Sequence, residues 1–154
     1  MRNLVIDIGN SNAKFAVFEG DDLLELKSNF ALEEEKLLEW LSTWKITKAI
    51  VSDVSGKGEN WINFLAKHLN LIVFNTSVSC GLSTEYETQG SLGQVRWAKM
   101  IAASFLNGGA TSLVIDAGTC ITVDLLENGR VYKGGSMSPG VQMRFKALNA
   151  YTGN

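Results

Sequence analysis

Residues 4–9 read Leu-Val-Ile-Asp-Ile-Gly, and residues 113–118 read Leu-Val-Ile-Asp-Ala-Gly, so the chain carries the same six-residue strand end twice, differing only at Ile8 and Ala117. The first copy continues NSNAKFAVFEGDDLLEL and the second TCITVDLLENGRVYKGG. Each reads as a strand, a tight glycine turn, a second strand, a further turn (Gly20-Asp21-Asp22 or Asn128-Gly129) and a third strand. The separation far exceeds the roughly 20–50 residues of solenoid repeats. It suits two duplicated domains facing each other.

Between the copies the hydrophobic period changes. Ala31–Thr43 reads as a helix, with Leu37, Leu38, Trp40 and Leu41 on its buried side and the Glu33–Glu35 run favouring its N-terminus. Lys48–Val54 is a short β-rich run, Asn60–Leu69 a helix, Leu71–Phe74 a strand, and residues 75–92 a polar loop. Arg96–Leu106 is a helix stopped by Asn107-Gly108-Gly109, and Val141–Ala150 is the last helix. The expected fold is α/β: a βββαβαβα domain over 1–111, then a shorter βββα domain over 112–154. Alternating strands and helices imply a sheet covered on both faces. A three-stranded sheet with one helix leaves much of one face bare, so the chain is expected to be a fragment or a truncated gene product.

Composition narrows the function classes. Of 154 residues, 45% are apolar and 19% charged, enough for a packed core and against a disordered chain. The net charge of −2 and the lack of a basic block argue against nucleic-acid or anionic-membrane partners. Cys80 and Cys120 fit neither a metal spacing nor a disulfide framework and read as free thiols in a reducing compartment. Asp7 interrupts the apolar N-terminus, so no signal peptide is expected. No apolar run approaches the ~18 residues that span a bilayer. A cytoplasmic protein is expected. His68, the single histidine, reads as a core or surface residue.

The glycine turns carry the chemistry. A strand ending in Asp, followed by Gly and small polar residues, lets backbone N–H groups approach an anion. The Asp itself repels phosphate but holds Mg²⁺, which bridges to phosphates. Lys14, on the next strand, supplies a point charge to a phosphoryl group. One such turn is equally what a plain tight hairpin looks like. Two at matched positions, brought to one cleft by facing domains, would flank a triphosphate.

Four segments together resemble a known family. They are Asp7-Ile-Gly-Asn-Ser-Asn-Ala-Lys14, the run YETQGSLGQVR holding Tyr86, Gly93 and Arg96, Asp116-Ala-Gly-Thr-Cys-Ile-Thr122, and Tyr132-Lys-Gly-Gly-Ser-Met-Ser-Pro-Gly140. The pattern is similar to the acetate and sugar kinase, heat-shock ATPase and actin superfamily, whose duplicated domains are ribonuclease H-like. More closely, it resembles type III pantothenate kinase. That resemblance implies ATP-dependent phosphorylation of pantothenate to 4′-phosphopantothenate, the opening step of coenzyme A synthesis, by a homodimer. It implies that Asp7, Ile8, Gly9, Asn10, Ser11, Asn12, Ala13 and Lys14 hold ATP phosphates and Mg²⁺, with Thr119 also on ATP. It places Asp116 on a monovalent cation, K⁺ or NH₄⁺, and Tyr86, Gly93, Gln94, Val95 and Arg96 around pantothenate. Arg96 suits the substrate carboxylate, which a guanidinium grips with two parallel hydrogen bonds. Val95 stands where the family has an Asp, the general base for the substrate hydroxyl, and valine cannot accept a proton. Two further readings follow: a non-catalytic descendant that binds nucleotide or pantothenate in a regulatory role, and an actin-like filament protein, against which the Tyr86–Arg96 segment counts.

Overall fold

The computed structural model describes residues 1–9, 12–28 and 34–152. The strands and helices follow the expected order. Seven-residue strands β1 (Arg2–Ile8), β2 (Ala13–Glu19) and β3 (Asp22–Ser28) are followed by α1 (Glu34–Trp44), β4 (Lys48–Asp53), α2 (Glu59–His68) and β5 (Asn70–Val73). Then come β6 (Ser83–Thr84), a 3-10 turn at Gln89–Ser91, α3 (Gln94–Leu106), β7 (Ser112–Ala117), β8 (Cys120–Glu127), β9 (Val131–Pro139) and α4 (Val141–Tyr151). The two repeats are superposable in kind: each is a three-stranded antiparallel meander opened by the duplicated strand.

Two compact units result, Met1–Asn75 and Thr76–Asn154. The first holds a five-stranded sheet of order β3-β2-β1-β4-β5, with β4 and β5 added parallel to β1. Alternation along its strands sends Leu4, Ile6, Ile8, Phe15, Val17, Ala49 and Val51 to one face, where they pack against Leu37, Trp40 and Leu41 of α1 and Leu65 of α2. The expectation of a sheet covered on both faces is not met here: Val5 is 37% and Ile72 54% exposed on the other side. Leu38 also departs from expectation, at 37% exposed, because it lies a quarter-turn off the Leu37–Trp40–Leu41 stripe. The Ala31–Glu33 part of the expected helix lies outside the described residues.

The second unit holds a four-stranded sheet of order β6-β9-β8-β7. The unit begins at Thr76, upstream of the expected boundary at 111/112, for two reasons. β6 pairs in parallel with β9, inside the segment expected as loop, and α3 lays Arg96, Trp97, Met100 and Ala103 on the second sheet rather than the first. None of the helices among the described residues is long and apolar enough to cross a membrane.

Candidate functional site

The first glycine turn lies in the first unit. Asp7, half-buried near the end of β1, sits directly across the antiparallel register from exposed Lys14 on β2. Directly opposed residues leave the sheet on the same face. Gly9 N–H donates to Asn12 O at 3.0 Å, and a Cβ on Gly9 would press on that same oxygen. Asn10 and Ser11 lie outside the described residues. Asn12 is exposed and Ala13 half-buried, whereas the Ile8 side chain points into the core, leaving only its backbone to the turn. The Ile8 carbonyl accepts Val54 N–H at 3.1 Å.

That bond leads to a carboxylate that sequence reasoning missed. Asp53, paired with Ile8 in the parallel register, accepts hydrogen bonds from Ser55 N (2.8 Å), Ser55 Oγ (2.7 Å), Gly56 N (3.1 Å) and Gly58 N (2.8 Å). Burial pushes its pKa up, but the Ser55 hydroxyl and the three backbone N–H groups outweigh that and hold it below the ordinary carboxylate value. The sequence signal was present: Asp53 ends a strand and is followed by Ser and Gly, the same pattern that drew attention to Asp7.

The second glycine turn lies in the second unit. Gly118 N–H bonds Cys120 O at 3.0 Å, and Gly140 N–H bonds Thr119 O at 2.9 Å. A Cβ on Gly140 would collide with the Gly118 and Thr119 carbonyls, which explains why glycine follows the last strand where it meets this turn. Thr119 is exposed at its tip. Asp116 on β7 is paired with Thr122 on β8, so both side chains share the face under α3. Thr122 Oγ1 is buried with no hydrogen-bond partner among the described residues. Both side chains carry oxygen donors, the kind that hard cations take. The Asp116 carboxylate already carries an ion pair with Lys99 of α3. The described residues contain no group of three or more His, Cys, Asp or Glu suited to a metal.

The expected substrate segment opens α3. Gly93 is its extended N-cap without a side-chain cap, and half-buried Gln94 and Val95 follow in the first turn. The helix starts two residues earlier than expected, which carries Val95 into the helix beside Arg96. Arg96 is only 8% exposed. Its Nε donates to the two Asp124 oxygens at 3.1 and 3.3 Å, and its Nη2 donates to Asp124 Oδ1 at 2.5 Å. Tyr132 OH donates to the same oxygen at 2.7 Å. Tyr86 lies under the guanidinium, with its ring centre 5.6 Å away, and stacks on Tyr132 at 5.9 Å. Trp97 meets Tyr132 edge-on. Hydrogen bonding to Asp124 holds the Arg96 pKa above its ordinary value, and burial with Asp124 pushes the Tyr132 phenol well up. Gly135 leaves room for this packing, since a Cβ there would strike the Asp124 carboxylate and the β8 backbone.

A guanidinium has five N–H groups in a planar fork. Asp124 uses the edge formed by Nε and Nη2, and the Tyr86 side chain also hydrogen-bonds the guanidinium. Tyr86 and Arg96 are thus brought together as expected. Val95 offers no proton acceptor. Asp124, Lys99 and the role of Tyr132 were missed. Asp124 had one signal, a charged residue at a core-facing position of an alternating strand.

Comparison with known proteins now decides the ancestry. The family model described as type III pantothenate kinase matches residues 3–154. The chain belongs to the type III pantothenate kinase family. Among named members, the Christiangramia forsetii type III pantothenate kinase is 41% identical over 99% of this chain and 63% of its own length. The Phocaeicola vulgatus type III pantothenate kinase is 39% identical over 97% and 62%. The chain therefore spans a little under two thirds of these relatives. Among solved structures, a Baf family protein from Campylobacter jejuni is 26% identical with a TM-score of 0.58, covering 96% of this chain and 59% of its own. An Aquifex aeolicus Ppx/GppA phosphatase, 12% identical with a TM-score of 0.53, shares the fold alone, again over 96% of this chain and 55% of its own. The fold is the expected actin-like one.

Proposed function

We propose that the protein transfers the γ-phosphoryl group of ATP to the primary hydroxyl of pantothenate, giving 4′-phosphopantothenate. The observation that carries this reading is Arg96: a buried guanidinium, fixed by Asp124 and floored by Tyr86, in the family's substrate segment. Holding an arginine in one orientation is what recognition of a planar carboxylate requires. The Gly93–Arg96 turn would seat pantothenate through its carboxylate. In the first unit Lys14 would meet the phosphate chain, with the backbone of the glycine turn beside it. Asp7 is the residue that would hold Mg²⁺, whose bound charge offsets that of the phosphates. Asp116, with Thr122 across the register, stands where the resemblance puts a monovalent cation, K⁺ or NH₄⁺, and Lys99 already pairs with it. A homodimer in the cytoplasm belongs to the same reading.

Val95 shapes the chemistry. Phosphoryl transfer passes through a loose transition state and depends chiefly on positioning and charge neutralisation. Without a carboxylate at position 95, the substrate hydroxyl gives up its proton to water, and turnover is slow rather than absent. The test is transfer of labelled γ-phosphate from ATP to pantothenate, with Mg²⁺ and K⁺, by the parent chain and by Val95→Asp. Product from either supports the reading. No product from either, with pantothenate binding also absent by calorimetry, overturns it.

A further inference from the structure

We propose that Lys99 supplies a tethered ammonium that occupies the monovalent-cation position at Asp116, so that this chain does not need a free K⁺ or NH₄⁺ there. The inference rests on reading Asp116 as the cation ligand. Lys99 lies three residues after Arg96 on α3, on the same helical face. That face meets the sheet through two ion pairs: Arg96 with Asp124 on β8, and Lys99 with Asp116 on β7. The Asp116 cross-strand neighbour is Thr122, whose Oγ1 is buried without a partner among the described residues. Asp116 and Thr122 are thus cross-strand neighbours on the face that α3 covers, and an ammonium on a flexible stem already reaches the Asp116 carboxylate.

The chemistry of the substitution is direct. An alkylammonium carries one positive charge and three N–H donors. A position that accepts NH₄⁺ accepts this group when the stem is long enough. Tethering gives the ammonium an effective concentration of about millimolar or more without drawing on the solvent pool. A free cation entering beside it would place two positive charges on one carboxylate.

The test is thermal unfolding in KCl against choline chloride at matched ionic strength, for the parent chain, Lys99→Met and Lys99→Gln. The parent is expected to melt at the same temperature in both salts. Lys99→Met is expected to gain K⁺-dependent stabilisation, a rise of about 3–6 °C when K⁺ is tenfold above its Kd. Adding Asp116→Asn should abolish that gain. Lys99→Gln guards against a folding defect peculiar to methionine. A parent that responds to K⁺ as strongly as the variants overturns the proposal, as does a lack of response in both variants. Pantothenate calorimetry on the same samples reports separately on the substrate reading: a parent that binds no pantothenate but shows the expected salt pattern sinks the latter and upholds the tethered cation.

Discussion

The most informative perturbation is Asp124→Asn. The Asp124 side chain is 1% exposed and that of Arg96 9%, so solvent does little to screen either charge. The substitution preserves shape but removes the countercharge of a buried guanidinium. Breaking a buried pair from one side costs about 3–5 kcal/mol, because the remaining ion stays desolvated. Domains of this size are stable by about 5–15 kcal/mol, so the loss is a large fraction of the total. At roughly 2–4 °C per kcal/mol, the melting temperature should fall by about 6–20 °C. Thermal unfolding followed by circular dichroism measures that fall, and urea unfolding the free energy. The double variant Arg96→Met with Asp124→Leu removes both charges and should recover much of that loss, falling short of the parent by about 1–3 kcal/mol because the buried Tyr132 hydroxyl loses its acceptor. That double variant should still lose pantothenate binding, which separates the structural role from the recognition role. Asp124→Asn within about 0.5 kcal/mol of the parent would refute the reasoning, because it would mean that water already solvates the pair.

Two other outcomes follow from the same cluster. The Tyr132 phenol keeps its proton in the folded chain to a higher pH than in the unfolded chain, whose phenol titrates near 10. Its contribution is therefore complete below about pH 10 and is lost as pH rises toward the folded value, by up to about 1.4 kcal/mol per pH unit. Unfolding free energies measured across that range should fall more steeply for the parent than for Tyr132→Phe, and equal slopes would count against the burial described. For catalysis, Val95→Asp should raise kcat by about 10²–10⁴, the usual worth of a general base, with KM for pantothenate little changed.

The α/β class and the element order are legible in strand alternation, helical period and the duplicated strand, and the family in four short segments taken together. Those features are local, since strand alternation, helical period and turn residues all lie within a few positions of one another. What was not legible is tertiary. Asp124 and Lys99 take their meaning from α3 lying across β7 and β8, and nothing near either residue in sequence announces that crossing. The two-residue strand β6 exists only because β9 offers an edge far along the chain, so residues 75–92 read as plain loop. Arg96 was legible as a carboxylate clamp through its motif, but its burial and its fixed partner were not. Asp53 differs, because the pattern that revealed Asp7 was there to be applied again. Val95 is plain in the sequence and stays plain in the structure: it is a half-buried aliphatic side chain in the first turn of α3.

The central claim is that Arg96 reads the carboxylate of pantothenate. Calorimetric titration with pantothenate and with pantothenol, in which an alcohol replaces that carboxylate, tests it most directly. The account predicts that pantothenate binds and that pantothenol binds more weakly by a factor of about 10² or more, because the buried guanidinium would lose a charged partner. Equal affinity for the two would contradict it.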